Sequence, residues 1–218
     1  MVSTGASDVH EDIAAYYTRK VLQFGATPHG VDWTCVPTQE LRFVQLLKIC
    51  DFDKAVSLND LGCGYGALLN YLAKRHKRAR IDYLGLDVSE AMVTLAASLW
   101  SHRPKTAFAV GHQFGRTADY CVASGIFNVR LVHSRSRWED YIRSTLMELH
   151  AGSRCAYSIN FLAPNTGAGP RELYRTSPEP WTRFCEQELG GQVEVLDDYG
   201  LREFTLLVRT AAHPGTAS

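Results

Sequence analysis

The chain has 218 residues, 45% of them hydrophobic and 21% charged, with 23 Lys+Arg against 23 Asp+Glu and a formal net charge of zero. Length and composition are those of one large globular domain able to bury roughly 70% of its extended surface, which excludes a largely disordered chain. Charge balance argues against a nucleic-acid-coating surface. With no stretch near 18 apolar residues and no basic start followed by an apolar run, a membrane span and a secretory signal are not expected. The expected location is therefore cytoplasmic. The six cysteines are scattered without Cys-x-x-Cys spacing, which predicts reduced thiols and no metal site.

Residues 1–10 are small and polar and are expected to fray. A helix is predicted from Glu11 to Phe24, with Ile13, Tyr16, Tyr17, Val21, Leu22 and Phe24 near one face and Gly25 as its stop. After a loop, a second helix starts at Pro37, with Leu41, Val44, Leu47 and Leu46 as its apolar stripe. Residues 1–54 thus form an N-terminal helical segment ahead of the sheet, and residues 55–218 carry the rest of the same domain.

From Ala55 onward the hydrophobic period alternates. AVSLNDLG, RIDYLGLDV, TAFAV and DYCVAS read as strands. YGALLNYLAKRHK and SEAMVTLAASLWSH read as helices, with Ser89 capping the second. The alternation predicts an α/β fold with a parallel sheet and helices on both faces. SRWEDYIRSTLMELHAG is a further helix and CAYSINFL a further strand; a Gly/Pro loop spans 164–170, and EPWTRFCEQEL is a last helix. QVEVLDDY and REFTLLVRT, separated by only Gly200 and Leu201, must pair antiparallel, because so short a link cannot cross over.

The densest local signal is Asn59-Asp60-Leu61-Gly62-Cys63-Gly64-Tyr65-Gly66, between a predicted strand and a predicted helix. Glycines there permit a sharp turn and a close ligand approach, and the helix N-terminus beyond offers unpaired N–H groups. Asp87 ends the next strand, where a carboxylate can accept both hydroxyls of a ribose. Gly62-x-Gly64-x-x-Ala67 also satisfies a loose dinucleotide fingerprint. Against a nicotinamide or flavin stand Asp60, which repels a pyrophosphate but suits an ammonium, the absence of a second substrate domain, and the terminal antiparallel hairpin.

Asp60-x-Gly62-x-Gly64-x-Gly66, Asp87 and the hairpin resemble the class I S-adenosylmethionine-dependent methyltransferases, over roughly residues 39–209. Gln39–Phe43 and Ala123–Asn128 are similar to a bacterial branch of small single-domain members of unknown substrate. The resemblance implies a doubly wound, seven-stranded, mostly parallel sheet with an antiparallel last strand, beneath an N-terminal helical lid. It also implies S-adenosyl-L-methionine as cofactor. Gly62 and Gly64 would lie against its methionine portion, Asp60 would face the amino group, and Asp87 would take the ribose. Val88 and Met92 would flank the adenine. His112 or Gln113 would meet the adenine edge, where many members carry an acid. Ser124 closes strand four, where sulfonium and acceptor meet, and Arg42 is placed to pair with the cofactor carboxylate as a bidentate fork.

Tyr16, Tyr17 and Trp33 are candidates for an aromatic lid over the acceptor, with core packing as the competing reading. Asn128, Asn160 and Tyr174 are candidate acceptor contacts. Tyr17, His29 and His133 are the catalytic candidates, the histidines as bases near neutral pH. Cys63 reads as a small residue tolerated in a tight loop rather than a thiol activated at a helix N-terminus. The expected function is methyl transfer to O, N, S or C of a small molecule, without nucleic acid or membrane as partner. The alternatives are a non-catalytic cofactor-binding sensor or partner subunit and, less favoured, a protein or nucleic-acid methyltransferase. ASGIFN stands after strand four in place of the Asn/Asp-Pro-Pro-Tyr-like tetrad that holds a planar amine.

Overall fold

The computed structural model describes residues 4–164 and 172–210, with side chains from residue 9 onward. The predicted Gly/Pro loop lies mostly outside these residues. Seven strands form one sheet in the order β3-β2-β1-β4-β5-β7-β6. They are β1 Val56–Leu61, β2 Ile81–Asp87, β3 Thr106–Val110, β4 Ala118–Ala123, β5 Ser153–Leu162, β6 Gln192–Leu196 and β7 Glu203–Arg209. β1 pairs parallel with β2 and β4, and β7 runs antiparallel to both β5 and β6. The chain therefore reverses at β1, with β2 on one side and β4 on the other. That reversal leaves a crevice beyond the strands' C-terminal ends, the place where open α/β sheets bind ligands.

The connecting helices are α3 Ala67–Arg75, α4 Glu90–Trp100, α5 Arg135–Ala151 and the short α6 Glu179–Arg183, which continues as a π turn over Phe184–Glu188. Leu68, Leu69 and Leu72 of α3 are buried as the period predicts. Ser89 caps α4 by accepting the N–H of Met92 at 3.3 Å. One core layer holds Trp138, Ile142, Leu146 and Leu149 of α5 against Tyr157, Ile159 and Phe161 of β5. The other holds Phe43 and Leu47 against α3, Leu58 and Tyr83.

Three N-terminal expectations change. The first helix, α1, spans Thr4–Phe24, so residues 4–10 are its first two turns rather than a frayed start. Its buried stripe is Val9, Ile13 and Val21, an i, i+4 series that leaves Leu22 76% exposed. α2 spans Val36–Leu47 and buries Gln39, Arg42, Phe43, Gln45, Leu46 and Leu47, while Val44 faces water. Leu46 and Leu47 are buried as the apolar stripe predicts, but three other buried members, Gln39, Arg42 and Gln45, are polar, and an apolar count passes over them. The hairpin link also proves longer than two residues, since β6 ends at Leu196 and β7 starts at Glu203.

Candidate functional site

A cavity of about 240 Å³ opens beyond the C-terminal ends of β1, β2 and β4. Asp60, Leu61, Gly62, Cys63, Gly64 and Tyr65 form one wall, as β1 turns into α3. Gly62 has φ +72°, and a Cβ there would stand 2.3 Å from the Ile126 side chain, so only glycine fits. Asp87, Val88 and Met92 continue the wall from β2 into α4, and Gly111, His112 and Gln113 follow β3. Ser124, Gly125 and Ile126 line it after β4, and α5 adds Tyr141, Ser144, Thr145 and Glu148. The N-terminal segment closes the remaining side with His10, Ile13 and Tyr17 of α1, Val31 and Trp33 of the following turn, and Gln39 and Phe43 of α2.

Two carboxylates dominate the electrostatics. The Asp87 oxygens accept the Gly64 N–H and the Ser89 N–H, each at 2.9 Å. Burial nevertheless raises the Asp87 pKa above the ordinary carboxylate value, these backbone donors pulling the other way. Asp60 is 2% exposed and accepts the Tyr83 hydroxyl at 2.5 Å. Burial pushes its pKa up to about 7, against the Tyr83 hydrogen bond and with help from the nearby Asp87 charge. Burial also drives the Cys63 thiol well above its usual range, with both acids adding to the shift, so it is an inert residue of the turn. The Tyr17 phenol is likewise raised well above its ordinary value, first by burial and then by the Asp32 charge. It stays a neutral hydroxyl across the neutral range.

The structure brings together most of the predicted cofactor wall: Asp60, Gly62, Gly64, Asp87, Val88, Met92, His112, Gln113 and Ser124 all line the cavity. Arg42 does not line it. Its Nε donates to Glu203 Oε2 at 2.7 Å, its Nη2 to Oε1 of the same carboxylate, and its Nη1 to the Thr38 carbonyl. The fork expected for a cofactor carboxylate thus closes on a buried acid of β7. Among the acceptor candidates Tyr17 and Trp33 reach the cavity. Tyr16 lies beside Lys20 and Asp32 on the outer side of α1. Asn160 is taken by its neighbours, accepting the Gly125 N–H at 2.8 Å and donating to Glu203 at 3.1 Å. Asn128 is buried behind Gly125, where its N–H and C=O make backbone bonds. Tyr174 is 2% exposed and donates to Glu139.

Neither candidate histidine lines the cavity. His29 is exposed in the 3-10 turn Pro28–Val31, against Phe24. His133 is buried, stacked on Trp138, with Nε2 3.2 Å from an Asp12 oxygen. Lining residues that the sequence reading did not single out include His10, Gln39, Phe43, Tyr65 and Tyr141, and Ser144, Thr145 and Glu148 of α5. His10 stacks on His112 at 3.9 Å between ring centroids, joining α1 to the loop after β3. The Tyr65 hydroxyl donates to Gln39 Oε1 at 3.4 Å. Tyr65 sits inside the glycine motif, a signal that was available.

The sheet order, the glycine turn and the acid at the end of β2 define a class I S-adenosylmethionine-dependent methyltransferase fold. A family profile described as Methyltransferase domain matches residues 59–149. Over 168 residues the chain is 42% identical to Rv1506c of Mycobacterium tuberculosis, a protein named as a candidate methyltransferase, covering 76% of this chain and all of that one. The chain belongs to this methyltransferase family. Among solved structures, magnesium protoporphyrin IX methyltransferase of Synechocystis, with bound S-adenosylhomocysteine, superposes with a TM-score of 0.61 at 12% identity, over 94% of this chain and 99% of that one. Phosphoethanolamine N-methyltransferase 1 of Haemonchus contortus gives 0.66 at 11% identity, over 97% of this chain and 51% of that one. These two likenesses are of fold. As a member of the family the chain is an enzyme that uses S-adenosylmethionine.

Asp60 yields a stability prediction whose sign is fixed by its raised pKa. Below the ordinary value of 3.8 the group is neutral folded and unfolded. As pH climbs toward about 7 the unfolded chain ionises it freely and the folded chain does not, so stability falls and then levels off. Asp60→Asn keeps an acceptor for Tyr83 and removes that penalty. The ligand-free variant is expected to melt higher than the parent at pH 8, with the gap shrinking toward pH 4, as read by calorimetric melting across that range.

Proposed function

We propose that the protein transfers the methyl group of S-adenosylmethionine to a small-molecule acceptor inside the closed cavity. The observation that carries this reading is the pair of buried carboxylates, Asp60 and Asp87, flanking a glycine turn under the cover of α1. The donor set suits the cofactor. Asp87, fixed by two backbone N–H groups, keeps lone pairs for two ribose hydroxyls. Asp60 offers a carboxylate to an ammonium, and the Cβ-free turn at Gly62 admits the chain between them. Val88 and Met92 supply apolar surface for the adenine, with His112 and Gln113 at its edge. Ser124, whose buried hydroxyl has no partner, faces the junction with the acceptor.

S-adenosylmethionine, when bound, supplies a methyl on a cationic sulfur, ready for displacement in line with the C–S bond. What the chain's residues contribute is alignment and exclusion of water. Ile13 and Tyr17 of α1, and Val31 and Trp33 after it, cover the cavity, so an acceptor must fit within it. That cover favours a small molecule over a protein or nucleic acid. The N-terminal segment, residues 1–54, is read as a lid on the domain formed by residues 55–218, with α1 tethered by the 2.8 Å contact between Thr18 Oγ1 and Ser89 Oγ.

Three measurements test these roles. By titration calorimetry the protein is expected to bind S-adenosylmethionine, with Asp87→Ala weakening it by about 1.5–3 kcal/mol, the range for hydrogen bonds to a charged group. Affinity should rise with pH through about 7, because the ammonium selects the ionised form of Asp60. Tyr83→Phe should move that rise to higher pH, since it removes the hydrogen bond that favours the ionised form. With methyl-labelled cofactor and a cell extract, label should enter the low-mass fraction; label confined to protein or nucleic acid would refute a small-molecule acceptor. Hydrogen exchange along α1 should slow when S-adenosylhomocysteine binds. Equal protection with and without ligand would make α1 a fixed wall.

A further inference from the structure

Five residues far apart in sequence close a ring behind one wall of the cavity. Trp33 lies with its indole 3.8 Å from the Arg42 guanidinium carbon. Arg42 is gripped by Glu203 through two nitrogens. Glu203 accepts Asn160 Nδ2 at 3.1 Å, and Asn160 Oδ1 accepts the Gly125 N–H at 2.8 Å. Gly125, with φ +73°, returns the circuit to Trp33: a Cβ on it would stand 2.3 Å from the indole Cζ2. The indole edge thus rests on bare backbone at the end of β4, beside Ser124, while one face is covered by a cation that cannot move. Arg42 and Glu203 are 7% and 4% exposed, so solvent screens this grip little.

We infer that Trp33 is the platform for the methyl acceptor, held by the Arg42–Glu203–Asn160–Gly125 ring, and that the acceptor carries a neutral planar ring. This rests on the methyltransferase reading and narrows it. Trp33 and Phe43 give flat apolar surface, and the Tyr65–Gln39 pair gives neutral polar groups for an oxygen or nitrogen on the ring's edge. Among the described residues no Lys or Arg lines the cavity, so an anionic acceptor finds no guanidinium or ammonium there to pair with. A cationic acceptor is disfavoured for a different reason. The Arg42 guanidinium on one face draws π density from the indole and weakens its pull on a second cation, while a neutral ring stacks without that loss. Arg42, Glu203 and Asn160 touch neither cofactor nor acceptor in this arrangement; they are positioning residues.

The test uses the full chain saturated with S-adenosylhomocysteine and four matched probes, phenol, benzylammonium, benzoate and cyclohexanol, titrated by ligand-observed NMR. Phenol should bind best. Trp33→Leu should weaken phenol by about tenfold, the loss of one aromatic contact surface, and Trp33→Phe should restore most of it. Arg42→Met alone strands a buried Glu203 and endangers folding, so the ring is tested with Arg42→Met/Glu203→Leu, an apolar replacement of the whole pair. That variant should bind S-adenosylhomocysteine within about twofold of the parent yet lose several-fold in phenol affinity. Cyclohexanol, benzoate or benzylammonium binding as tightly as phenol would overturn the acceptor class. Unchanged phenol affinity in Trp33→Leu would overturn the platform, and unchanged phenol affinity in the double variant would overturn the positioning role. Failure of the parent to bind S-adenosylhomocysteine would instead overturn the cofactor reading beneath the inference.

Discussion

Two carboxylates buried at the ends of adjacent strands, and held by neutral donors, are the constraint around which this site is organised. Asp87 is met by the Gly64 and Ser89 N–H groups and Asp60 by the Tyr83 hydroxyl. Neutral donors lower the cost of burying a charge without cancelling it. The backbone must turn at Gly62 and Gly64 to aim the Gly64 N–H back at Asp87, while the Gly62 and Cys63 N–H groups donate to the Leu86 carbonyl. Tyr83 must sit within β2 to reach Asp60 across the β1–β2 pair, in which Asp60 lies opposite Gly85. The remaining cost shows in the upward pKa shifts of both acids. A cationic ligand relieves what the protein leaves uncompensated, and a site of this kind holds back stability to gain selectivity for charge.

The other side of the cavity solves an opposite problem. A buried acid, Glu203, and a buried base, Arg42, neutralise each other there, and the pair is completed by Asn160 and the Thr38 carbonyl. Such a pair adds little net stability over an apolar alternative, but it fixes geometry. It locks α2 to β7 and β5 and thereby sets where Trp33 and Gln39 face the cavity. The antiparallel β7, inserted between β5 and β6, is what brings Glu203 beside Arg42 although 161 residues separate them. The last strand therefore shapes the front of the molecule through a charge rather than through its apolar face.

Legibility in the sequence follows contact distance along the chain. The glycine turn, Asp60 and Asp87 lie within about 30 residues of one another, and the strand and helix periods around them fix their placement. The Ser89 cap, the α3 stripe and the antiparallel hairpin are local in the same sense. The sequence around Arg42 suggests a cofactor carboxylate as its partner, because Glu203 stands 161 residues away at the far end of the chain. Asn160 sits at a strand end on the correct side, yet its amide is committed at both ends to Gly125 and Glu203. The α2 phase failed for a related reason: burial of Gln39 and Arg42 is decided by tertiary partners, and an apolar count passes over them. His133 is suggested by its residue type and Tyr174 by its place in the long loop after β5, and each is absorbed into packing around α5, through Trp138 and Glu139.

The same burial that positions these groups also limits their chemistry. Tyr17, Cys63 and Tyr141 line the cavity, and all three are pushed toward their protonated forms, chiefly by desolvation and with acid charges adding to it, against a Thr145 hydrogen bond in the case of Tyr141. At neutral pH they present O–H and S–H groups, suited to donating a hydrogen bond and not to removing a proton. Burial draws the Asp60 pKa up to about 7, and its carboxyl group is already engaged by the Tyr83 hydroxyl. On the proposed reading an acceptor entering this cavity depends on a dry approach past Trp33 and Phe43 and on alignment at the end of β4, with the stacked His10 and His112 imidazoles also on the wall. On that reading the protein supplies alignment, and the Arg42–Glu203 pair, though neither residue reaches the cavity, holds the wall on which the alignment rests.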